Sequence, residues 1–461
     1  MKERLHFYYT NDLHSHFENW ASIVDFLNKK KEKHRQDKEN YWIVDIGDHV
    51  DRFHPISEAF RGKRNVELLN DVGYNIATIG NNEGITLEYY DLFHLYDAAT
   101  FKVVCGNLTA RNERQPVWLK DHYTFQSETG IKITVLGLTA PFTPFYRPLG
   151  WDVEPPYEYL QRELPKVEQD SDIIILLSHL GLSDDEMIAR DFPSIDVIIG
   201  GHSHHLLKNE KSINQSILTA AGRYGHFVGE VDLLWDHNQN KLIEKHAYAM
   251  ETSHMKKDLE TEKKLEHLNK EAEIVLQQPV TVLKQRLEVN WFQNTIIIQQ
   301  LTDHLQKWTD ADIAMLNAGL LLDHLEKGPV TKRDIHRICP HPINPCTVKL
   351  RGIELLEVIR GAYDQALITL ELKGFGFRGK VIGKFVFSGL DIEIMTDEDG
   401  IEHVKNVYYQ GEEIAEERIY TFATADMFTF GRMFPQISRS KTKQFFLPEF
   451  LRDLLIDLLK N

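Results

Sequence analysis

Seven residues of this chain have the chemistry of metal ligands, and they are spread so far apart that only a fold can gather them. Asp12 and His14 lie in the run NDLHSH, Asp48 in IGDHVD, Asn81 in IGNNEG, His179 in LLSHLG, and His202 with His204 in GGHSHH. Two carboxylates, one amide oxygen and four imidazoles, with no thiolate among them, suit borderline divalent ions such as manganese, zinc, iron or nickel. Calcium or a cysteine-type structural zinc fits that set less well. Seven donors exceed what a single ion with an open position needs, and match two ions roughly 3.5 to 4 Å apart sharing one carboxylate.

Each candidate follows an apolar run with strand character. LHFYYT precedes Asp12, YWIVDIG leads into Asp48, YNIATIG into Asn81, DIIILLS into His179, and IDVIIGG into His202. Helical spacing intervenes, as in Trp20, Ile23, Val24 and Leu27 and in NVELLNDVG, which together predict an α/β layering. In open α/β sheets the carboxyl ends of the strands form the ligand crevice, so these loops should converge. Asn81 and Asn82 would otherwise be costly side chains to place where a buried strand ends.

At 461 residues the chain predicts two domains. A dimetal domain is expected over residues 1–250, a charged linker helix over 251–278 and a smaller α/β domain over 279–461. A net charge of −16, from 53 basic and 69 acidic residues, opposes sequence-independent binding to nucleic-acid phosphates or anionic lipid. Three cysteines without a CxxC pair give neither a disulfide framework nor a thiolate zinc site. No signal-peptide pattern opens the chain, and no run approaches the roughly 20 apolar residues of a membrane span. The expectation is a cytoplasmic protein without membrane or polynucleotide partners; oligomeric state is unreadable.

With 22 histidines in the chain, no single one carries an assignment. The order D-x-H, GD, GN, H, GHxH does: it resembles the calcineurin-like metallophosphoesterases, most closely their bacterial 5'-nucleotidase branch, over nearly the whole chain. The resemblance implies a four-layer αββα sandwich followed by a nucleotidase-type domain. It also implies Asp12, His14, Asp48 and His204 around one ion, and Asp48, Asn81, His179 and His202 around the other. Two such cations would hold a phosphoryl oxygen, lower the pKa of a bridging water and stabilise in-line displacement at phosphorus, with no protein nucleophile.

The chain departs from that family where GNHE-F-D is usual. Asn82 stands at the histidine position and Ile85 at the aspartate position, so both members of the dyad that assists the leaving group are replaced. An asparagine can donate a hydrogen bond but cannot deliver a proton near neutral pH. His16, His49 and His205 neighbour ligands and are the candidate replacements. The GNNEGIT text resembles the YunD-like subgroup, which makes the change a subgroup property.

In the second half, NAG at Asn317–Gly319, TVKLRGIEL, FSGLDIEI and YTFATADMF resemble the nucleotidase C-terminal domain. The resemblance implies Asn317, Phe385 and Phe428 as substrate contacts, with Met427 at the second ring position and Phe430 beside it. The family's phosphate-binding arginine is replaced by Leu322, leaving Arg351, Arg378 or Arg432 as substitutes. The expected activity is hydrolysis of phosphate from nucleotides, with Asp48 and Asn82 at the reacting centre. Two alternatives stand beside it: a pyrophosphohydrolase of nucleotide sugars or dinucleotides, and a weakly catalytic nucleotide or metal sensor.

Overall fold

The computed structural model describes residues 1–111, 114–398, 400–431 and 433–460. Two compact units divide the chain, residues 1–272 and 273–461. Both are mixed α/β.

In the first unit, among the described residues, seven strands form one sheet in the order Lys241–Glu251, Phe227–Asp236, Lys2–Thr10, Asn40–Asp45, Ile76–Ala77, Lys102–Val104 and Leu119–Lys120. The strands from Lys2–Thr10 onward are parallel to one another. A second sheet orders Lys211–Ile213, Ser216–Thr219, Val197–Gly200, Ile173–His179, Lys132–Thr139 and His122–Gln126, parallel through its four central strands. All five ligand-bearing segments therefore leave parallel strands at their carboxyl ends.

Side-chain alternation explains how these sheets stack. Leu5, Phe7 and Tyr9 are fully buried against Val135, Ile175 and Leu177 of the other sheet. Tyr9 Oη and Thr219 Oγ1 lie 2.6 Å apart, joining the sheets by a hydrogen bond. The intervening His6 and Tyr8 face outward, toward the helix Trp20–Asp37, where His34 meets both rings. On the far side, helices Pro156–Glu168 and Leu182–Asp191 cover the second sheet through Leu160, Leu164 and Ile188. Each such side chain contributes about 1.5–3 kcal/mol on full burial. Helix, sheet, sheet, helix is the four-layer sandwich expected.

The helix expected from Glu251 begins at Leu259 and runs to Leu276. Glu251 still pairs with Phe227 in the sheet, and the backbone N–H of Asp258 donates to Ala21 O, so the intervening residues are tied down before the helix starts.

The second unit has a five-stranded sheet among its described residues, ordered Phe385–Ser388, Ile313–Asn317, Ile419–Ala425, Pro345–Arg351 and Gln444–Phe445. Helices Ile296–Trp308, Gly352–Ala362 and Leu451–Lys460 pack their apolar residues on it. No helix among the described residues is long and apolar enough to cross a membrane.

Candidate metal centre

Asp12 and His14 turn out of the strand Lys2–Thr10 through a loop latched to the Asp48 loop by three backbone bonds: Asp12 N–H to Gly47 O, His14 N–H to Asp48 O, and Ser15 N–H to His49 O. The latch demands unusual backbone. Asp12, His14, Asp48, His202 and His204 all have φ between 49° and 70°, a left-handed conformation that costs L-residues roughly 1–2 kcal/mol each. Gly47, at φ 85°, and Gly80 lie against each other, and a Cβ on Gly47 would come within 2.2 Å of Gly80 N. Glycine at both positions lets the GD and GN loops touch backbone to backbone.

The donor atoms converge. His14 Nε2 is 3.4 Å from Asp48 Oδ2 and 3.0 Å from His204 Nε2. His204 Nε2 is 3.4 Å from Asp12 Oδ1. His179 Nε2 is 3.3 Å from Asp48 Oδ2 and 4.0 Å from Asp12 Oδ1. His202 Nδ1 lies 2.7 Å from Asn81 Oδ1, and Asn81 sits at the start of the helix Asn81–Thr86. All seven sequence-derived residues thus surround one locus in the first unit, with Asp12–His14–His204 and Asp12–Asp48–His179 as the tight triads.

Does this set fit cations? His179 answers. Its Nδ1–H donates to Ile46 O at 2.7 Å, which leaves the Nε2 lone pair fully buried, with no hydrogen-bond partner, facing two carboxylates. Lone pair against carboxylate is repulsive unless a positive charge lies between them. Left to protons alone, the cluster titrates accordingly. Burial opposes a charged His179, but Asp48 outweighs it and lifts the ring to about 10. Asp48 is held below the ordinary carboxylate range despite burial, chiefly by His179. His202 is pushed down to about 4 by burial and by His179.

Three residues to which the sequence reading gave no role close around these donors. Asp51, with no exposed surface, places Oδ2 3.1 Å from His14 Nδ1 while its Oδ1 accepts from Phe53 N–H. Glu83, also fully buried, accepts three backbone N–H groups, from Asp48, Val50 and Gly80, and so pins the GD loop to the GN loop. Arg223, in the turn after strand Ser216–Thr219, brings Nη1 to 3.3 Å from His204 Nδ1 and lays its guanidinium over Tyr224. Tyr224 N–H donates to Asp12 O, which fixes the turn. Among the described residues no carboxylate pairs with Arg223.

Asn82 donates its backbone N–H to Asp48 Oδ1 at 2.7 Å and brings its amide Nδ2 to 2.9 Å from His14 Nδ1, the ring nitrogen that Asp51 Oδ2 also faces. The candidate proton donors are placed otherwise. His49 packs against Trp20 and Phe17, His16 lies on Tyr224 and Phe53, and His205 is exposed beside Ser203.

In the second unit the expected substrate contacts are interior. Phe428 has no exposed surface, Phe385 is 4% exposed, and both meet Phe434 edge-on. Asn317 is fully buried and donates to Ile382 O. The strand alternation holds, and it points Phe385 into the core, where both rings pack on Phe434. Met427 is also wholly buried. Arg351 lies by Glu354, Arg378 donates to Phe377 O, and Arg432 lies outside the described residues.

A two-sheet sandwich carrying an Asp, His and Asn cluster on the loops beyond its parallel strands, joined to a second α/β unit, defines a metal-dependent phosphoesterase class. The calcineurin-like phosphoesterase family matches residues 5–206, and the 5'-nucleotidase C-terminal domain matches residues 276–436. The chain belongs to this family: it is 44% identical over 456 residues to a Bacillus subtilis (strain 168) protein, the uncharacterized metallophosphoesterase YunD, with 99% of each chain covered. Among solved structures, a 5'-nucleotidase precursor of Thermus thermophilus is similar at TM-score 0.60 and 20% identity, covering 99% of this chain and 96% of that one. The NAD nucleotidase NadN of Haemophilus influenzae is similar at TM-score 0.69 and 16% identity, covering 100% and 96%. The protein is a phosphoric ester hydrolase of a metal-dependent family.

Proposed function

We propose that this chain releases phosphate from nucleotides, with Asp12, His14, Asp48 and His204 holding one divalent ion and Asp48, Asn81, His179 and His202 a second. The observation that carries the reading is the bare, buried His179 Nε2 aimed at two carboxylates. When bound, such ions supply Lewis acidity toward phosphoryl oxygens and make water acidic enough to act near neutral pH.

The chain's own residues do the rest. With the Asn82 amide turned so that its oxygen faces the ring, Asp51 accepts the His14 Nδ1 proton and thereby leaves Nε2 free as a ligand atom. Glu83 holds the Asp48 and Asn81 loops at a fixed separation through its three N–H donors. Arg223, free of any carboxylate partner among the described residues, is the cation available to a phosphoryl oxygen at the rim of the cluster, in place of the arginine that Leu322 replaces. Asn82 can orient the transferring group but cannot protonate a leaving oxygen.

That last point favours a second substrate class. Without a proton donor at residue 82, anhydrides with good leaving groups are easier than simple esters, which supports hydrolysis of nucleotide sugars or dinucleotides. Chromatography of the products released from nucleoside monophosphates, cyclic nucleotides, sugar nucleotides and dinucleotides, with manganese, zinc, iron or nickel added, tests both: inorganic phosphate with a nucleoside marks the first reading, and a nucleoside monophosphate from a sugar nucleotide or dinucleotide marks the second. Release that vanishes in Asp48→Asn is expected. No release from any compound with any of these ions overturns the proposal.

A further inference from the structure

A second cluster lies on the outward face of the strand Lys2–Thr10, where His6 and Tyr8 meet the helix Trp20–Asp37. It comprises His6, Tyr8, His34, Glu39 and Glu230. His6 precedes Asp12 by six residues, roughly 20 Å of extended chain, and faces the helix layer, so this cluster is separate from the metal centre described above.

The cluster is short of positive charge. Glu230 Oε1, Tyr8 Oη, the His34 ring and Glu39 Oε2 form a chain with contacts of 3.0 Å, 2.7 Å and 2.9 Å. Those three contacts need three protons, but Tyr8 and a neutral His34 own one each. If Tyr8 donates to Glu230, as its geometry indicates, His34 Nε2–H must donate to Tyr8, and the His34 Nδ1 lone pair then faces the Glu39 carboxylate. His6 adds to the deficit. Its side chain is 8% exposed, neither nitrogen has a hydrogen-bond partner, and they lie 3.5 Å from Glu39 Oε2 and 3.7 Å from Glu230 Oε1. Lys30 neutralises Glu230 through a 2.8 Å ion pair, which leaves Glu39 with two imidazoles and, among the described residues, no lysine or arginine.

We propose that His6, His34 and Glu39 bind one further divalent ion of zinc type, with Tyr8 and Glu230 fixing the ligand orientation behind them. Two imidazoles and one carboxylate are a common zinc set, with water completing the shell. The spacing suits it: ligands at about 2.0–2.1 Å from a tetrahedral ion lie about 3.3–3.4 Å apart, and here Glu39 Oε2 is 2.9 Å from His34 Nδ1 and 3.5 Å from His6 Nε2. The His6 and His34 rings stack at 4.3 Å with a 28° tilt, and each brings one nitrogen toward Glu39 Oε2. Burial lowers the His34 pKa even beside Glu39, which keeps the ring neutral and able to ligate. Glu39 is half-buried, so the cluster is not sealed from solvent. The ion would tie the end of the helix to the first strand and would act independently of the phosphohydrolase reading.

Zinc chloride titrated against a chromophoric chelator decides the matter, using the full chain carrying Asp48→Asn and His204→Gln to weaken the other centre. One zinc per chain is expected, with its affinity falling at least tenfold on adding His34→Gln or Glu39→Gln. Zinc-edge anomalous scattering from crystals of the unsubstituted chain soaked in zinc gives the second reading, with a peak expected within bonding distance of His6 and His34. No zinc bound in the substituted background together with no anomalous peak there overturns the proposal and leaves a protonated imidazole as the occupant. Zinc binding indifferent to both added substitutions overturns it equally.

Discussion

Replacing Asp51 by Asn changes one atom and should loosen a metal centre that the side chain never touches. Asp51 Oδ1 accepts from Phe53 N–H at 3.0 Å while Oδ2 faces His14 Nδ1 at 3.1 Å, and neither carboxylate oxygen sees solvent. Asparagine has only one oxygen for these two tasks. If it keeps the Phe53 bond, its NH2 meets His14 Nδ1 and demands a lone pair there, which drives the imidazole proton onto Nε2, the atom among Asp12, Asp48 and His204. If it turns over, its NH2 opposes Phe53 N–H instead. Either arrangement forfeits a charge-assisted bond worth about 1.5–3 kcal/mol, which is a tenfold to hundredfold loss of metal affinity. Competition between apo-protein and a chelator of known affinity measures it, and excess manganese should largely restore turnover. An unchanged manganese affinity in Asp51→Asn, with the fold intact by circular dichroism, would refute the claim that Asp51 sets the His14 tautomer.

Arg223→Ala should raise KM about tenfold and weaken inhibition by inorganic phosphate, because one charge-assisted contact is lost, while bound metal stays unchanged; an unaltered KM removes Arg223 from substrate binding. Asn82→His should speed hydrolysis of monoesters with poor leaving groups, by tenfold or more within the roughly 10²–10⁴ range of general acid help, and steady-state rates on alkyl and aryl monophosphates check it. In the second unit His341 donates Nε2–H to Leu320 O and accepts at Nδ1 from Arg378 N–H, so a proton on Nδ1 breaks a bond. Burial pushes its pKa down to about 3 from 6.5, so below pH 6.5 the unfolded chain takes up a proton that the folded one refuses. Stability present above pH 6.5 is then lost as pH falls, by about 1.4 kcal/mol per unit. Urea unfolding at pH 7 and 5 should show a shallower loss for His341→Gln, and an equal loss would count against the neutral assignment.

The convergence of the candidate donors was legible because each follows a buried strand within a few residues, so topology alone converts distant text into neighbours. Asp51, Glu83 and Arg223 were not legible, for a common reason. Each acts through a specific atom-to-atom contact set by loop conformation: Glu83 by three backbone N–H groups, Arg223 by a turn whose Tyr224 bonds back to Asp12. No periodicity encodes such contacts. The phenylalanines of the second unit illustrate the converse. Alternation correctly groups Phe385 with Phe387 on one face, but a sheet covered by helices offers two apolar faces, and period two does not say which is core.

The backbone at the centre ties these observations together. Asp12, His14, Asp48, His202 and His204 are all held in a left-handed conformation that an isolated loop would relax. They persist because the Asp12 and Asp48 loops bond to each other, Glu83 clamps the Asp48 loop to Gly80, and Asp12 accepts the His202 backbone N–H at both carboxylate oxygens, 3.0 Å each. Asp12 is therefore both a candidate ligand and a structural hub. Its replacement would release the His202 loop along with any ion, so its loss should be less forgiving than that of His204, whose half-exposed ring meets, beyond the cluster, Arg223 and Tyr224 at the rim.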